Sequence, residues 1–246
     1  MTESAKTVWI TGASSGIGAA LVKAYGRLGW RVAATARRED MLISLQDSPG
    51  DIQAFACDVT DRRAMQACFS KIVETFGCVD LAIANAGIYL PTRLPDFDAE
   101  LFDRSFEVNV TGTVNLLVPV IPHMRENGQG HIAIVSSVAG YSGLPTSAAY
   151  GATKAALTNM GESLALDLKR SCIDVSVIAP GFVDTPATAP NKFKMPFLMD
   201  VDAAAQRIVK GLSRKKAHIA FPRRFTFWLR LMTFLPRGAY LKLLGR

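Results

Sequence analysis

Tyr150 and Lys154 stand four residues apart in Tyr150-Gly151-Ala152-Thr153-Lys154, within a stretch whose apolar spacing predicts a helix over about 148–170. Positions i and i+4 share a helix face, so the phenol and the ammonium can enter one pocket. A free phenol titrates near pH ~10 and is a poor base at neutrality. A neighbouring cation favours the phenolate, and each pKa unit corresponds to ~1.4 kcal/mol. A phenol tuned in this way can protonate an alkoxide as hydride reaches a carbonyl carbon, and can reclaim the proton in reverse. Ser137 closes the run Ile134-Val135-Ser136-Ser137. A hydroxyl at the carboxyl end of a strand faces the cleft of an open α/β sheet, where it can hold a carbonyl oxygen as charge grows. Ser136 is the neighbouring competitor, and the spacing to Tyr150 favours Ser137.

A second group is Thr11-Gly12-Ala13-Ser14-Ser15-Gly16-Ile17-Gly18. It joins the first strand signal to the first helix signal, the setting of a dinucleotide-binding turn. Glycine lets the backbone turn tightly and approach a pyrophosphate, and the helix behind it offers unpaired N–H groups and a positive dipole end. The second strand signal ends Ala34-Thr35-Ala36-Arg37-Arg38. A carboxylate there would suit a ribose 2′-hydroxyl, whereas a guanidinium forks onto a 2′-phosphate. Arg37 and Arg38 therefore favour NADP(H) over NAD(H).

These groups need a scaffold, and the rest of the chain describes one. Apolar, β-branched runs at 7–11, 31–36, 52–56, 79–84, 131–136, 173–179 and 218–221 alternate with helical patterns at about 17–28, 39–47, 61–76, 98–126, 148–170 and 202–213. That alternation predicts βαβ units. The runs are apolar throughout, as strands covered on both faces are. The expected fold is α/β: a single-domain, Rossmann-type, doubly wound parallel sheet of about seven strands with helices on both faces, spanning 1–221. The 246 residues, 49% hydrophobic and 20% charged, suffice for one large core. Four cysteines without a CxxC pair argue against a zinc site or a disulfide framework, so no metal is expected and a reducing, cytoplasmic setting is. The N-terminal residues show no apolar core of a signal peptide.

In order along the chain, TGASSGIG at 11–18, Asp58, Asn85-Ala86-Gly87, Asn109, Ser137, Tyr150-x3-Lys154 and Pro180-Gly181 resemble the motifs of the short-chain dehydrogenase/reductase family, in its single-domain branch. The resemblance covers about residues 5–220. It implies an NAD(P)-dependent enzyme acting on CH–OH or C=O groups, with Asn109, Ser137, Tyr150 and Lys154 as catalytic residues. Lys154 would also bond the nicotinamide ribose, and Asn109 would position Lys154 through backbone and water. Cofactor contacts are implied for Gly12, Ser14, Ser15, Gly16, Ile17, Gly18, Arg37, Arg38, Asp58, Val59, Asn85, Ala86, Gly87, Pro180, Gly181, Val183 and Thr185. Within that set Asp58 would hold the adenine amino group and Thr185 the carboxamide. Two positions depart from the commoner pattern. Ala84 replaces the first Asn of the family's NNAG, and Ala36 stands where NAD-binding members carry an acid.

Residues 185–200 hold three prolines and two phenylalanines without strand or helix period, as active-site lids often do. Phe193, Met195, Phe197, Leu198 and Met199 in this loop suggest a substrate with an apolar, lipid-like body. The net charge of +7 is unevenly placed: residues 203–246 carry eleven Lys or Arg and no acid. The segment 222–246 is basic and apolar, and its run Phe225–Leu235, eleven residues with one charge, is too short to span a bilayer, which needs ~20 residues. It suits either peripheral contact with an anionic membrane, at its inner face, or a segment that packs between subunits or covers the active site. No nucleic-acid reader motif accompanies the charge. The resemblance implies a homodimer or homotetramer. The alternative to an enzyme is a catalytically idle dinucleotide sensor or membrane-associated scaffold, against which the complete tetrad argues.

Overall fold

Thr7–Thr11 forms β1, every residue of it buried, because alternate side chains enter two different helical layers. Val8 and Ile10 face one layer and Trp9 the other. The computed structural model describes residues 5–92, 97–189 and 195–244; Phe193 of the expected lid lies outside them. Beyond β1 the strands are β2 (Arg31–Ala36), β3 (Asp51–Ala56), β4 (Leu81–Ala84), β5 (Gly130–Val135), β6 (Ile173–Pro180) and β7 (His218–Phe221). They form one parallel seven-stranded sheet in the order β3-β2-β1-β4-β5-β6-β7. The chain reverses its direction of winding between β1 and β4, so the crevice of a doubly wound sheet opens beyond their carboxyl ends.

Helices α1 (Gly16–Arg27), α2 (Glu39–Gln46) and α7 (Val201–Leu212) cover one face. Helices α3 (Arg62–Phe76), α5 (Gly112–Glu126) and α6 (Ala148–Asp167) cover the other. Against the expected single helix over 98–126, the chain forms α4 (Ala99–Phe106), a π-helical turn at Glu107–Thr111, and then α5. Asn109 sits in that wider turn and is fully buried. Such turns often mark places where a helix gives up regularity to aim a side chain.

The C-terminal segment folds into two further helices, α8 (Arg223–Thr233) and α9 (Arg237–Leu244). Thr226, Leu229 and Tyr240 anchor them by burial. Tyr240 also donates its hydroxyl to the Gly143 carbonyl at 2.8 Å, and Arg237 donates to Ser142 Oγ at 3.0 Å. Among the described residues no helix is long and apolar enough to cross a membrane.

Candidate active site

At the carboxyl end of β1 the chain must reverse into α1 within four residues, and Gly12 makes the turn possible. It holds φ +66°, and a Cβ there would lie 2.7 Å from the Ala86 Cα. Gly18 packs its bare backbone on the Gly12 carbonyl. Asn85 fastens the arrangement from β4, donating from Nδ2 to the Thr11 carbonyl at 2.9 Å and to the Gly12 carbonyl at 3.2 Å. The Thr11 hydroxyl accepts from the Asn85 and Ala86 backbone N–H groups at 3.2 Å each. Helix α1 starts with no side-chain cap and no acid in its first turn, which leaves its N–H groups and dipole for an anion.

An open cleft of about 340 Å³ runs from this turn across the sheet. Every site residue expected from sequence lines it except Gly18 and Asn109, which stand directly behind its wall. At one end Arg38 donates to Ser14 Oγ at 3.0 Å, and Arg37 lies 3.7 Å from the Asp58 carboxylate. Asp58 is further held by the Thr60 N–H and hydroxyl, each at 3.0 Å. Two guanidiniums and a hydroxyl thus converge where β2 ends, a setting that can grip a phosphate.

At the other end α6 brings Tyr150 and Lys154 together. Lys154 is buried, and its Nζ donates to the Val135 carbonyl at 2.9 Å while lying 5.5 Å from the centre of the Tyr150 ring. Ser137 lines the cleft with Tyr150, accepts from the Ala139 N–H at 3.1 Å and donates to the Pro180 carbonyl at 3.4 Å. Ser136 is committed elsewhere: its hydroxyl donates to the Lys154 carbonyl at 2.7 Å and pairs with Thr158 Oγ1 at 2.8 Å. Of the two serines, the geometry therefore brings Ser137 to the phenol.

The electrostatics differ from the sequence expectation of an ammonium that acidifies the phenol. Burial pushes the Tyr150 hydroxyl up to about 12, with the neighbouring Ser137 opposing it. Burial also pulls Lys154 down to about 8. Each charged form loses water in the same apolar recess, and the ammonium lies over the ring rather than at the oxygen.

Asn109 is bonded to the backbone that follows β4 and to α6. Its amide is taken up by the Ile88 N–H (2.7 Å), the Ile88 carbonyl (3.0 Å) and the Thr153 hydroxyl (3.0 Å). Its contact with the lysine is one of proximity: a Cβ on Gly87 would meet both Asn109 Oδ1, at 3.2 Å, and Lys154 Nζ, at 3.5 Å. Thr153, Ile88 and Tyr89 were not anticipated. Tyr89 sets its ring edge-on to Tyr150, with centroids 5.0 Å apart. An isolated threonine or tyrosine carries no sequence signal for such a role.

The loop after β6 is closed at its base. Val183 and Met199 form a parallel bridge, with Asp184 N–H to Met199 O at 2.9 Å and Met199 N–H to Phe182 O at 3.0 Å. Thr185 then turns back over the phosphate turn, its Cγ2 3.2 Å from where a Gly16 Cβ would be. Phe225 of α8 packs on Phe182 and Phe197, with centroids 5.7 and 6.0 Å apart, and its ring fills the space beside Gly181. The C-terminal segment thereby reaches the wall of the cleft.

Residues 6–195 match the family model for the short chain dehydrogenase. An oxidoreductase of Myxococcus xanthus is 37% identical over 239 residues, covering 96% of this chain and 94% of its own. A short-chain dehydrogenase structure from Streptomyces avermitilis superposes with a TM-score of 0.86 at 27% identity, covering 97% of this chain and 96% of that one. The structure of 3-ketoacyl-(acyl-carrier-protein) reductase from Brucella melitensis, complexed with NADH, gives 0.81 at 28% identity over 88% of this chain and 96% of its own.

Proposed function

The chain belongs to the short-chain dehydrogenase family and is an NAD(P)-dependent oxidoreductase, and on that premise we propose that it reduces an apolar, lipid-like carbonyl with NADP(H). The observation that carries the reading is that Ser137, Tyr150 and Lys154 line one cleft together with the glycine turn. Fit to a dinucleotide is supported by the close backbone approach at Gly12 and Gly18 and by the uncapped start of α1. Ser14, Ser15, Gly16, Ile17 and Gly18 would hold the pyrophosphate, and Asp58 with Val59 the adenine side. Asn85, Ala86 and Gly87 would line the middle, and Pro180, Gly181, Val183 and Thr185 the nicotinamide. Arg37, Arg38 and Ser14 favour a 2′-phosphate, because both guanidiniums reach the end of β2.

When bound, the nicotinamide supplies the hydride for reduction or accepts it in the reverse direction. The chain's own groups manage the oxygen. Ser137 donates a hydrogen bond to the carbonyl, polarising it. Tyr150, a neutral phenol until about pH 12, donates its proton to that oxygen as negative charge develops. The Lys154 ammonium, oriented by the Val135 carbonyl, stabilises the phenolate left behind. Asn109 fixes the segment after β4 that faces the lysine, and so acts by positioning.

The apolar substrate is supported by Phe182, Phe197 and Phe225, which pack together beside Gly181, and by the 3-ketoacyl substrate for which the Brucella melitensis neighbour is named. A homodimer or homotetramer is carried over from the family resemblance alone. The test is a panel of short- and long-chain carbonyls, followed by loss of NADPH absorbance with NADH in parallel and Tyr150→Phe as control. Turnover that favours long chains and NADPH supports the reading. Dinucleotide binding without turnover on any carbonyl would return it to an idle sensor.

A further inference from the structure

We infer that the outer face of α8, with the edge of the lid beside it, is a docking surface for an anionic lipid bilayer. The helix has two apolar faces. Thr226 and Leu229 are buried against the body, while Phe227, Trp228, Leu231, Phe234 and Leu235 are exposed, Phe234 at 84% and Phe227 at 62%. At 100° per residue Phe227, Trp228 and Leu231 fall within one sector of roughly 100°, opposite the anchored face, and Phe234 and Leu235 follow at the helix end. A helix that merely caps a soluble domain carries polar residues there.

Leu241 and Leu243 of α9, and Phe197 and Leu198 of the lid, are exposed as well. Phe197 touches Phe225 of α8, so the two elements present a continuous edge. Single exposed apolar residues need no explanation, whereas a contiguous patch of aromatic and leucine side chains marks an interaction site.

Charge chooses the occupant. Arg223, Arg224, Arg230, Arg237 and Lys242 are exposed on the same two helices, and residues 203–246 hold no acid. In a twofold contact the same patch would meet itself, bringing these cations together without a counter-charge. Anionic headgroups supply the counter-charge, and Trp and Phe at headgroup level suit the interfacial zone. An 11-residue helix lying flat can bury its outer face in that zone without crossing the bilayer. The inference does not depend on the redox chemistry of the cleft.

The test uses the full chain and vesicles of phosphatidylcholine alone or mixed with phosphatidylglycerol. The chain is expected to sediment with the mixed vesicles only, and less as salt rises. Trp228 is the exposed tryptophan, whereas Trp9 is fully buried, so tryptophan emission is expected to shift to the blue on binding. Trp228→Ser with Phe234→Ser, and separately Arg223→Gln with Arg224→Gln, are each expected to lower partitioning by about tenfold or more, with melting temperature and NADPH binding retained. Failure to sediment with mixed vesicles at low salt overturns the inference, as does sedimentation that both double variants leave unchanged. A smaller oligomer in the variants without altered vesicle binding would show instead that a second copy covers the face.

Discussion

Asn109 pairs with both backbone groups of Ile88, accepting its N–H at 2.7 Å and donating to its carbonyl at 3.0 Å. A side-chain amide here does what a neighbouring strand would do, in a segment that has left the sheet after β4. The π-helical turn at Glu107–Thr111 aims the amide, and Thr153 completes its bonding.

Asn109→Ala would leave the two Ile88 backbone groups without their partner in a half-buried place. Each unsatisfied group costs about 1–3 kcal/mol. A melting temperature lower by roughly 5–15 °C is expected, at about 2–4 °C per kcal/mol for a chain of this size. Thermal denaturation checks it. Asn109→Asp is expected to fall between, because it keeps the acceptor for Ile88 N–H and loses the donor.

Tyr150→Phe removes the proton donor and keeps the ring against Tyr89. Turnover is expected to fall by about 10²–10⁴-fold, with NADPH affinity nearly unchanged. Ser137→Ala is expected to cost about 10²-fold in kcat. Steady-state kinetics together with fluorescence titration of NADPH separates the two effects.

Lys154 has consequences for both activity and stability. Its pKa of about 8 predicts that kcat/KM for reduction falls as pH rises through 8, when the charge facing the phenol is lost. Stability moves in the opposite direction. Between about 8 and 10.5 the unfolded lysine holds its proton and the folded one does not, so the unfolding free energy rises with pH in that window. Lys154→Met is expected to erase that rise and to melt a few degrees higher at pH 7, because a buried ammonium is replaced by an apolar chain of similar length. Denaturant curves from pH 7 to 10.5 on both proteins test this.

Arg38→Ala and Arg37→Ala are each expected to raise the KM for NADPH by about 10-fold and leave that for NADH within about twofold, the modest size reflecting solvent-accessible guanidiniums. Equal effects on both cofactors would remove the 2′-phosphate reading. Arg37 also faces Asp58 at 3.7 Å, so the Arg38 variant, whose partner is the neutral Ser14, is the cleaner probe.

The strands, the phosphate turn and the Tyr150–Lys154 pair were readable from the chain because each is a local pattern. Glycine at 12, 16 and 18 answers to backbone constraints within one turn, and i, i+4 spacing guarantees a shared helix face wherever the helix lies. Continuous apolar runs reported burial on both faces, and the sheet bears that out from Trp9 on one side to Val8 and Ile10 on the other.

Other properties arise only when distant segments meet. Asn109 finds its partners 21 and 44 residues away, and no spacing rule anticipates them. The phenol's proton affinity depends on how much water the folded walls remove, which outweighs a charged neighbour that sequence alone suggested would dominate. For residues 222–246 composition left lipid, subunit and active site open. The fold turned Phe225 inward onto Gly181 and Phe227, Trp228 and Phe234 outward, because a helix packed on one side must leave its opposite side uncovered.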